Sequence, residues 1–107
     1  MTYCNDNPCL PGEVCCYSNT VAGSDKCAAD GSCLPGFVEL KCNGPVDCPG
    51  GECCGRWTVQ AGWQYTQCKA KCETADRVMC FGDATVCKAT QSCIDSQALG
   101  QGYMFCG

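Results

Sequence analysis

Cysteine is the residue type through which this chain could do chemistry. Sixteen of its 107 residues are cysteines, and a thiol can ligate a metal, act as a nucleophile or pair as a disulfide. Zinc sites need closely spaced ligands, usually with histidine, but the chain has no Cys-x-Cys, no Cys-x-x-Cys and no histidine. The number of cysteines is even, so all of them can pair. We therefore predict disulfides and no metal site.

The remaining side chains form no catalytic pattern. A chain without histidine cannot build a Ser-His or Cys-His nucleophile, and the bridges are expected to use every thiol. The eleven acidic residues are scattered singly through turns, which gives no sign of a paired acid and base. We predict that the protein is not an enzyme and that it holds no cofactor.

Disulfides and charge together limit the compartment and the partners. Disulfides persist where the surroundings are oxidising, so we predict a secreted, extracellular or cell-surface protein. The net charge is −4 and the seven basic residues are scattered, which disfavours nucleic acid as a partner. No stretch approaches the ~20 apolar residues of a transmembrane segment. We expect a protein partner or self-assembly, with a glycan as the alternative.

The cysteine motif repeats along the chain. Cys4, Cys42 and Cys80 lie 38 residues apart, and each of them opens a similar pattern. The segment PGEVCC, which ends in the first doubled cysteine, matches PGGECC, which ends in the second. We therefore predict three copies of one repeat, namely copy one at residues 1–41, copy two at residues 42–79 and a truncated copy three at residues 80–107.

Copy three indicates how the cysteines pair. Ile94 occupies the place of the second member of the doubled cysteine, and copy three has no sixth cysteine, so one whole bridge is missing. The fourth cysteine then pairs with the sixth, the first with the third and the second with the fifth. A knottin order remains the alternative. The favoured pairs are Cys4–Cys15, Cys9–Cys27, Cys16–Cys33, Cys42–Cys53, Cys48–Cys68, Cys54–Cys72, Cys80–Cys93 and Cys87–Cys106.

These bridges must be positioned by short elements. Pro-Gly and Gly-Pro pairs mark frequent turns, and the predicted fold is a small disulfide-rich one, mainly β hairpins and turns, with three tandem cysteine repeats. Residues 37–41 and 76–79 link the copies and end in apolar residues, so we expect them to pack between copies. Short helical turns are expected at residues 67–74 and 90–95.

Residues 56–67 have the clearest strand pattern. β-forming residues alternate with polar ones around Gln60-Ala61-Gly62, which predicts a hairpin with a left-handed glycine ending its loop. In that register Val59 faces Trp63 and Trp57 faces Tyr65, so that all four share one apolar face. This face is either the core of copy two or an exposed platform for a glycan or protein. The interface candidates are Trp57, Val59, Trp63, Tyr65, Tyr103 and Phe105.

Two resemblances follow from the motifs. Residues 42–54, CNGPVDCPGGECC, resemble the core of whey-acidic-protein domains and are similar to knottin-like disulfide modules, but the gap after the doubled cysteine is longer here and the family's inhibitory upstream segment is missing. The doubled cysteine, the Gly-Trp hairpin and the final Phe-Cys-Gly also resemble tandem cysteine-rich repeats of secreted or surface proteins of myxobacteria and their relatives. The second resemblance implies an extracellular bacterial protein without a defined activity.

Three functional hypotheses remain. The leading one is a non-catalytic extracellular structural or interaction protein, such as a subunit or tip of a surface filament or appendage, because bridged repeats are stiff and suit assembly. The second is a glycan- or protein-binding module that uses the Trp57, Trp63 and Tyr65 face. The third is a knottin-like protease inhibitor or effector, whose candidate loops are residues 10–14 and 43–47.

Overall fold

The computed structural model describes residues 3–4, 7–18, 20, 25–60, 62–95 and 103–107. These residues are mostly strands and turns, in agreement with the predicted fold class, and they contain no α-helix. Two 3₁₀ turns cover Pro45–Asp47 and Ala84–Val86. The strands are β1 (Tyr3–Cys4), β2 (Asn7–Pro8), β3 (Glu13–Tyr17), β4 (Lys26–Ala29), β5 (Val38–Leu40), β6 (Glu52–Thr58), β7 (Gly62–Lys69), β8 (Asp76–Val78), β9 (Cys93–Asp95) and β10 (Met104–Cys106).

Both predicted helical turns are wrong. Residues 67–69 belong to strand β7, because they continue the antiparallel pairing with β6 as far as Lys69. Residues 93–95 form strand β9, which is held against β10 by antiparallel pairing. Helices this short lack the cooperativity to form alone, and here the hairpin partners satisfy the backbone instead. None of the helical segments in the described ranges has the length and apolar character of a membrane-crossing helix.

A six-stranded sheet forms the body of the molecule. Its strand order is β4-β3-β5-β7-β6-β8, and the pairings are antiparallel except for the parallel contact of β5 with β7. The pairs β1-β2 and β9-β10 form two small separate sheets. The hairpins β3-β4 and β6-β7 come from predicted copies one and two, so the two copies contribute to the same sheet.

The two segments that were predicted to link the copies pack against the parts of the chain on both sides of them. Strand β5 pairs with β3 on one side, while Leu40 pairs with Thr66 of β7 on the other. Strand β8 pairs with β6, and the next residue, Met79, forms a bridge with Phe105 of β10. Leu40 and Met79 are fully buried. Their burial explains why each link has an apolar residue one or two positions before a cysteine.

All sixteen cysteines are paired, and the pairs are those that the comparison of the three copies favours. The bridges are Cys4–Cys15, Cys9–Cys27, Cys16–Cys33, Cys42–Cys53, Cys48–Cys68, Cys54–Cys72, Cys80–Cys93 and Cys87–Cys106. Each bridge lies within residues 4–33, 42–72 or 80–106. The disulfides therefore stabilise each segment internally, and only noncovalent contacts and the chain itself join one segment to the next.

The same cross-strand arrangement occurs in three hairpins. Two cysteines face each other across the paired strands, as Cys15↔Cys27, Cys53↔Cys68 and Cys93↔Cys106. The facing cysteines do not bond to each other. Each instead bonds to a cysteine in the loop that precedes the hairpin, so two bridges fasten that loop across the strands.

Cystines make up most of the core. Ten of the sixteen buried apolar residues in the described part of the chain are half-cystines, and the others are Val14, Tyr17, Leu40, Trp63, Met79 and Tyr103. The buried hydroxyl of Thr66 donates to the Cys42 carbonyl at 2.9 Å and accepts from the Cys42 N–H at 3.3 Å. This polar pair satisfies the backbone where β7 meets the start of copy two.

The bridges should differ in how much each contributes to stability. Cys42 and Cys53 are fully buried, whereas Cys33 of the Cys16–Cys33 bridge is half-buried. Replacing both Cys42 and Cys53 with alanine is expected to lower the free energy of unfolding by about 4–5 kcal/mol, against about 2–3 kcal/mol for Cys16→Ala/Cys33→Ala. Urea denaturation of the two variants at 25 °C measures the difference.

Loop entropy alone predicts the opposite order. The Cys16–Cys33 bridge spans 17 residues and the Cys42–Cys53 bridge spans 11, so chain entropy favours the former by about 0.4 kcal/mol. Equal losses in the two double variants, or a larger loss in Cys16→Ala/Cys33→Ala, would therefore contradict the view that the cystines act as core residues.

Candidate functional site

The β6-β7 hairpin does not have the predicted register. Trp57 pairs with Trp63 and Arg56 pairs with Tyr65, while Thr58 pairs with Gly62. The pairing shifts by one residue between Arg56 and Trp57, so Gln64 is an extra residue on β7. A β-bulge of this kind reverses the alternation of side chains along the strand. The prediction that Val59 faces Trp63 and Trp57 faces Tyr65 is wrong, because the Thr58–Gly62 pair leaves Val59 in the loop and the bulge places Tyr65 opposite Arg56.

The bulge separates the aromatic residues that were expected to share a face. Trp63 is buried, and its ring meets Phe105 edge-on with the centroids 6.0 Å apart. Tyr65 lies on the opposite face, half-buried beside Arg56. Val59 is 85% exposed beyond the last strand pair of the hairpin. Ala61, in the middle of the predicted loop, lies outside the described residues. The predicted platform does not form as one surface.

Gly55 explains how Trp63 reaches the interior. A β carbon on Gly55 would lie 2.8 Å from the Trp63 ring and 2.9 Å from the Met79 sulfur. Only glycine fits at this contact, because such distances are shorter than van der Waals contact allows. The Gly-after-Cys-Cys pattern in the sequence is thus a packing requirement of the buried indole.

Arg77 lies between two of the candidate aromatic rings. Its guanidinium carbon is 5.6 Å from the centroid of Trp57 and 5.0 Å from that of Phe105. Trp57 is 36% exposed and Phe105 is half-buried. Cation–π contacts at these distances hold the rings against β8. Both residues therefore have partners within the chain.

Tyr103, the remaining interface candidate, is a core residue. It is buried, and its hydroxyl is hydrogen-bonded by the side chain of Asn43. Burial raises the pKa of the Tyr103 hydroxyl, and the nearby carboxylates of Asp25 and Asp47 raise it further. Tyr103 therefore joins the last described segment to Asn43 and presents no surface to a ligand.

The strongest polar cluster surrounds Asp76. Its side chain is fully buried. One carboxylate oxygen, Oδ1, accepts from Arg56 Nε at 3.0 Å and from the Tyr65 hydroxyl at 2.8 Å. The other, Oδ2, accepts from Lys69 Nζ at 2.8 Å and from the Glu73 N–H at 3.0 Å. These contacts attach β8 to both strands of the hairpin.

The donors keep Asp76 ionised. Burial acts to raise the pKa of the Asp76 carboxyl, but the hydrogen bonds that it accepts outweigh burial and hold the pKa well below its usual range. Hydrogen bonds to Glu73 and Asp76 raise the pKa of Arg56, and those to Asp76 and Tyr65 raise the pKa of Lys69. A carboxylate so fully occupied is a poor general base, so the cluster is structural.

Sequence reasoning missed this cluster. Asp76 lies in a linking segment, and its side-chain partners lie 7 to 20 residues away on two other strands. Only the hairpin register brings Arg56 and Tyr65 to one face, and that register depends on the bulge at Gln64. The two basic residues Arg56 and Lys69 and the acidic Asp76 were the available signal, and without the register they could not be combined.

The sulfur atoms lie close together but offer no metal ligands. In each predicted copy three cysteine sulfurs lie within 4.8 Å of one another, as in the group Cys42, Cys48 and Cys53. Every one of these cysteines is in a disulfide. A bridged sulfur has no thiolate to give to a metal or to use as a nucleophile. The groups are neighbouring bridges.

A groove lies between the two loops, residues 10–14 and 43–47, that were predicted as candidate loops of a protease inhibitor or effector. Residues 10–14 form one wall, and Val46 and Asp47 of the second loop form part of the other. The groove has a volume of about 480 Å³, and Asp30 and Lys41 are also part of its lining. Leu10 is 69% exposed and Val46 is 83% exposed. The structure therefore brings the two candidate loops together.

Asp76 makes stability depend on pH in a defined direction. Because its pKa is lowered on folding, its contribution is full above about pH 4, the unfolded value, and is lost as the pH falls toward the folded value. We expect Asp76→Asn to lose about 2–3 kcal/mol at pH 7 and to show a flatter stability profile between about pH 5 and pH 2 than the wild type.

Urea denaturation with the bridges intact measures this profile. Asp95→Asn, at an exposed position on β9, is the matched control and should keep the stability and the pH dependence of the wild type. A profile for Asp76→Asn as steep as that of the wild type would show that Asp76 does not carry the linkage.

No family model, curated protein or solved structure matches this chain. The resemblances to whey-acidic-protein domains and to the cysteine repeats of myxobacteria therefore remain predictions from the sequence.

Proposed function

We propose that this chain is a non-catalytic extracellular protein with a structural or interaction role. The observation that carries the proposal is that all sixteen cysteines are bridged, with no thiol left for chemistry. Eight bridges in 107 residues require an oxidising compartment to form and persist. The hydrogen bonds of Asp76 with Arg56, Tyr65 and Lys69 hold β8 against β6 and β7, which supports a structural role for this cluster.

The finer proposal is that three copies of one repeat build the chain. The recurrence of facing cysteines in three hairpins supports it, as does the same pairing of first with third and second with fifth cysteines. The first two copies share a sheet, and the Met79–Phe105 bridge attaches the hairpin of the third, which suits a stiff subunit or tip of a surface filament.

An open sheet edge supports assembly with further copies. Strand β4 ends the six-stranded sheet, and no described strand pairs with its outer side. The Asp30 N–H donates to the Gly12 carbonyl at 3.3 Å, so by the alternation of antiparallel pairs the Ala29 N–H points away from β3. An outward N–H on an edge strand is a template for the strand of another molecule.

Light scattering and negative-stain electron microscopy of the unreduced protein test this role. We expect regular multimers or filaments, and we expect Ala29→Pro to reduce them to monomers of 11.3 kDa because proline removes the outward N–H. Ala29→Ser keeps that N–H and is the matched control. A wild-type protein that stays monomeric at millimolar concentration would overturn the filament role.

A further inference from the structure

The groove between residues 10–14 and the 3₁₀ turn Pro45–Asp47 exposes two large apolar side chains on a rigid frame. Leu10 and Val46 both line it and are 69% and 83% exposed. Single exposed apolar residues are ordinary on a protein surface. A pair of them lining one concave surface is typical of an interaction site.

The Leu10 wall is held in place by local contacts. The Glu13 N–H donates to the Leu10 carbonyl at 2.9 Å, and the Leu10 N–H donates to Glu13 Oε1 at 2.7 Å. The Cys9–Cys27 bridge anchors the loop to β4. Leu10 is therefore exposed in a loop whose conformation is fixed, and the loop cannot fold back to cover it.

The Val46 wall is fixed in a similar way. The Asn43 N–H donates to Asp47 Oδ2 at 2.9 Å, and the Cys48 N–H donates to the Pro45 carbonyl at 3.1 Å. The Cys48–Cys68 bridge fastens the turn to β7. A groove with both walls fixed loses little conformational entropy when a ligand enters, which favours binding.

Charge identifies the kind of occupant. Three carboxylates line the groove, from Glu13, Asp30 and Asp47, against one cation, Lys41. The Lys41 ammonium lies 3.4 Å from Asp30 and 3.8 Å from Glu39, so acids already surround it. The excess of negative charge attracts basic partners and repels anionic ones.

We infer that this groove binds an extended segment of a partner protein in which apolar residues alternate with lysine or arginine. The apolar side chains pack between Leu10 and Val46, and the basic ones meet the carboxylates of Glu13 and Asp47. The inference rests on the proposed role as a non-catalytic interaction protein and names the chemistry of the partner.

Fluorescence anisotropy with three labelled hexapeptides tests the inference. The probes alternate lysine with leucine, glutamate with leucine, and lysine with serine. We expect the lysine–leucine peptide to bind the unreduced protein at least tenfold more tightly than either of the others, and its affinity to fall as salt is raised. Equal affinities for the three peptides, or no binding of any, would overturn the proposal.

Matched variants locate the site. Leu10→Ser/Val46→Ser removes both apolar contacts and is expected to weaken binding of the lysine–leucine peptide at least tenfold. Leu34→Ser/Val59→Ser removes two residues that are 62% and 85% exposed outside the groove, and should leave the affinity unchanged. Glu13→Gln keeps an acceptor for the Leu10 N–H while removing the charge, and should weaken binding about threefold to tenfold. A loss in the Leu34 and Val59 variant, or none in the groove variants, would overturn the assignment.

The same samples separate failure of the inference from failure of the proposed function. Mass spectrometry of the peptide after incubation shows whether it is intact. A cleaved or modified peptide would overturn the non-catalytic role. An intact peptide that does not bind, or that binds equally to the groove variants, would overturn only the groove. Near-ultraviolet circular dichroism of each variant shows that the fold is retained.

Discussion

The cross-fastening of each hairpin to the loop before it is the constraint on which the rest of the structure depends. Two cysteines that face each other across the strands bond to two different loop positions, so each pair of bridges fixes a loop, a hairpin and their relative orientation together. The cystines then fill most of the interior, where a chain this small and rich in glycine has few large apolar side chains. Leu40, Met79, Trp63 and Tyr103 pack around this covalent centre.

Two kinds of cohesion therefore operate at different levels. Within a segment, covalent bridges set the geometry. They also hold exposed loops in place where no core lies beneath them, as in the groove walls around Leu10 and Val46. Between segments, cohesion comes from strand pairing and side chains, through the parallel contact of Leu40 with Thr66 and the bridge of Met79 with Phe105. Asp76 adds a buried charge network at the edge of the sheet.

The disulfide pairing could be predicted by counting cysteines in the sequence. The contacts that depend on strand register could not. Ile94, in place of a doubled cysteine, was enough to favour one set of pairs, because a missing bridge removes two cysteines together. The predicted aromatic face is wrong because the loop closes at the Thr58–Gly62 pair and Gln64 is one extra residue on β7, and alternation alone reveals neither feature. The Asp76 cluster and the groove were out of reach for a related reason: their members meet only after strands from distant positions are aligned.

The doubled cysteine has a mechanical consequence. In the first segment a covalent path enters at Cys4, crosses to Cys15, passes one peptide bond to Cys16 and leaves at Cys33, and Cys42–Cys53 with Cys54–Cys72 repeats it. A pulling force applied between Cys4 and Cys33, or between Cys42 and Cys72, is carried by two disulfides and one peptide bond, so the hairpins inside these two segments are shielded from load. The linking residues 34–41 and 73–79 lie outside these two paths, and each link spans at most roughly 25 Å when fully extended. Under tension the molecule is a short chain of stiff links whose two hinges are the strands β5 and β8.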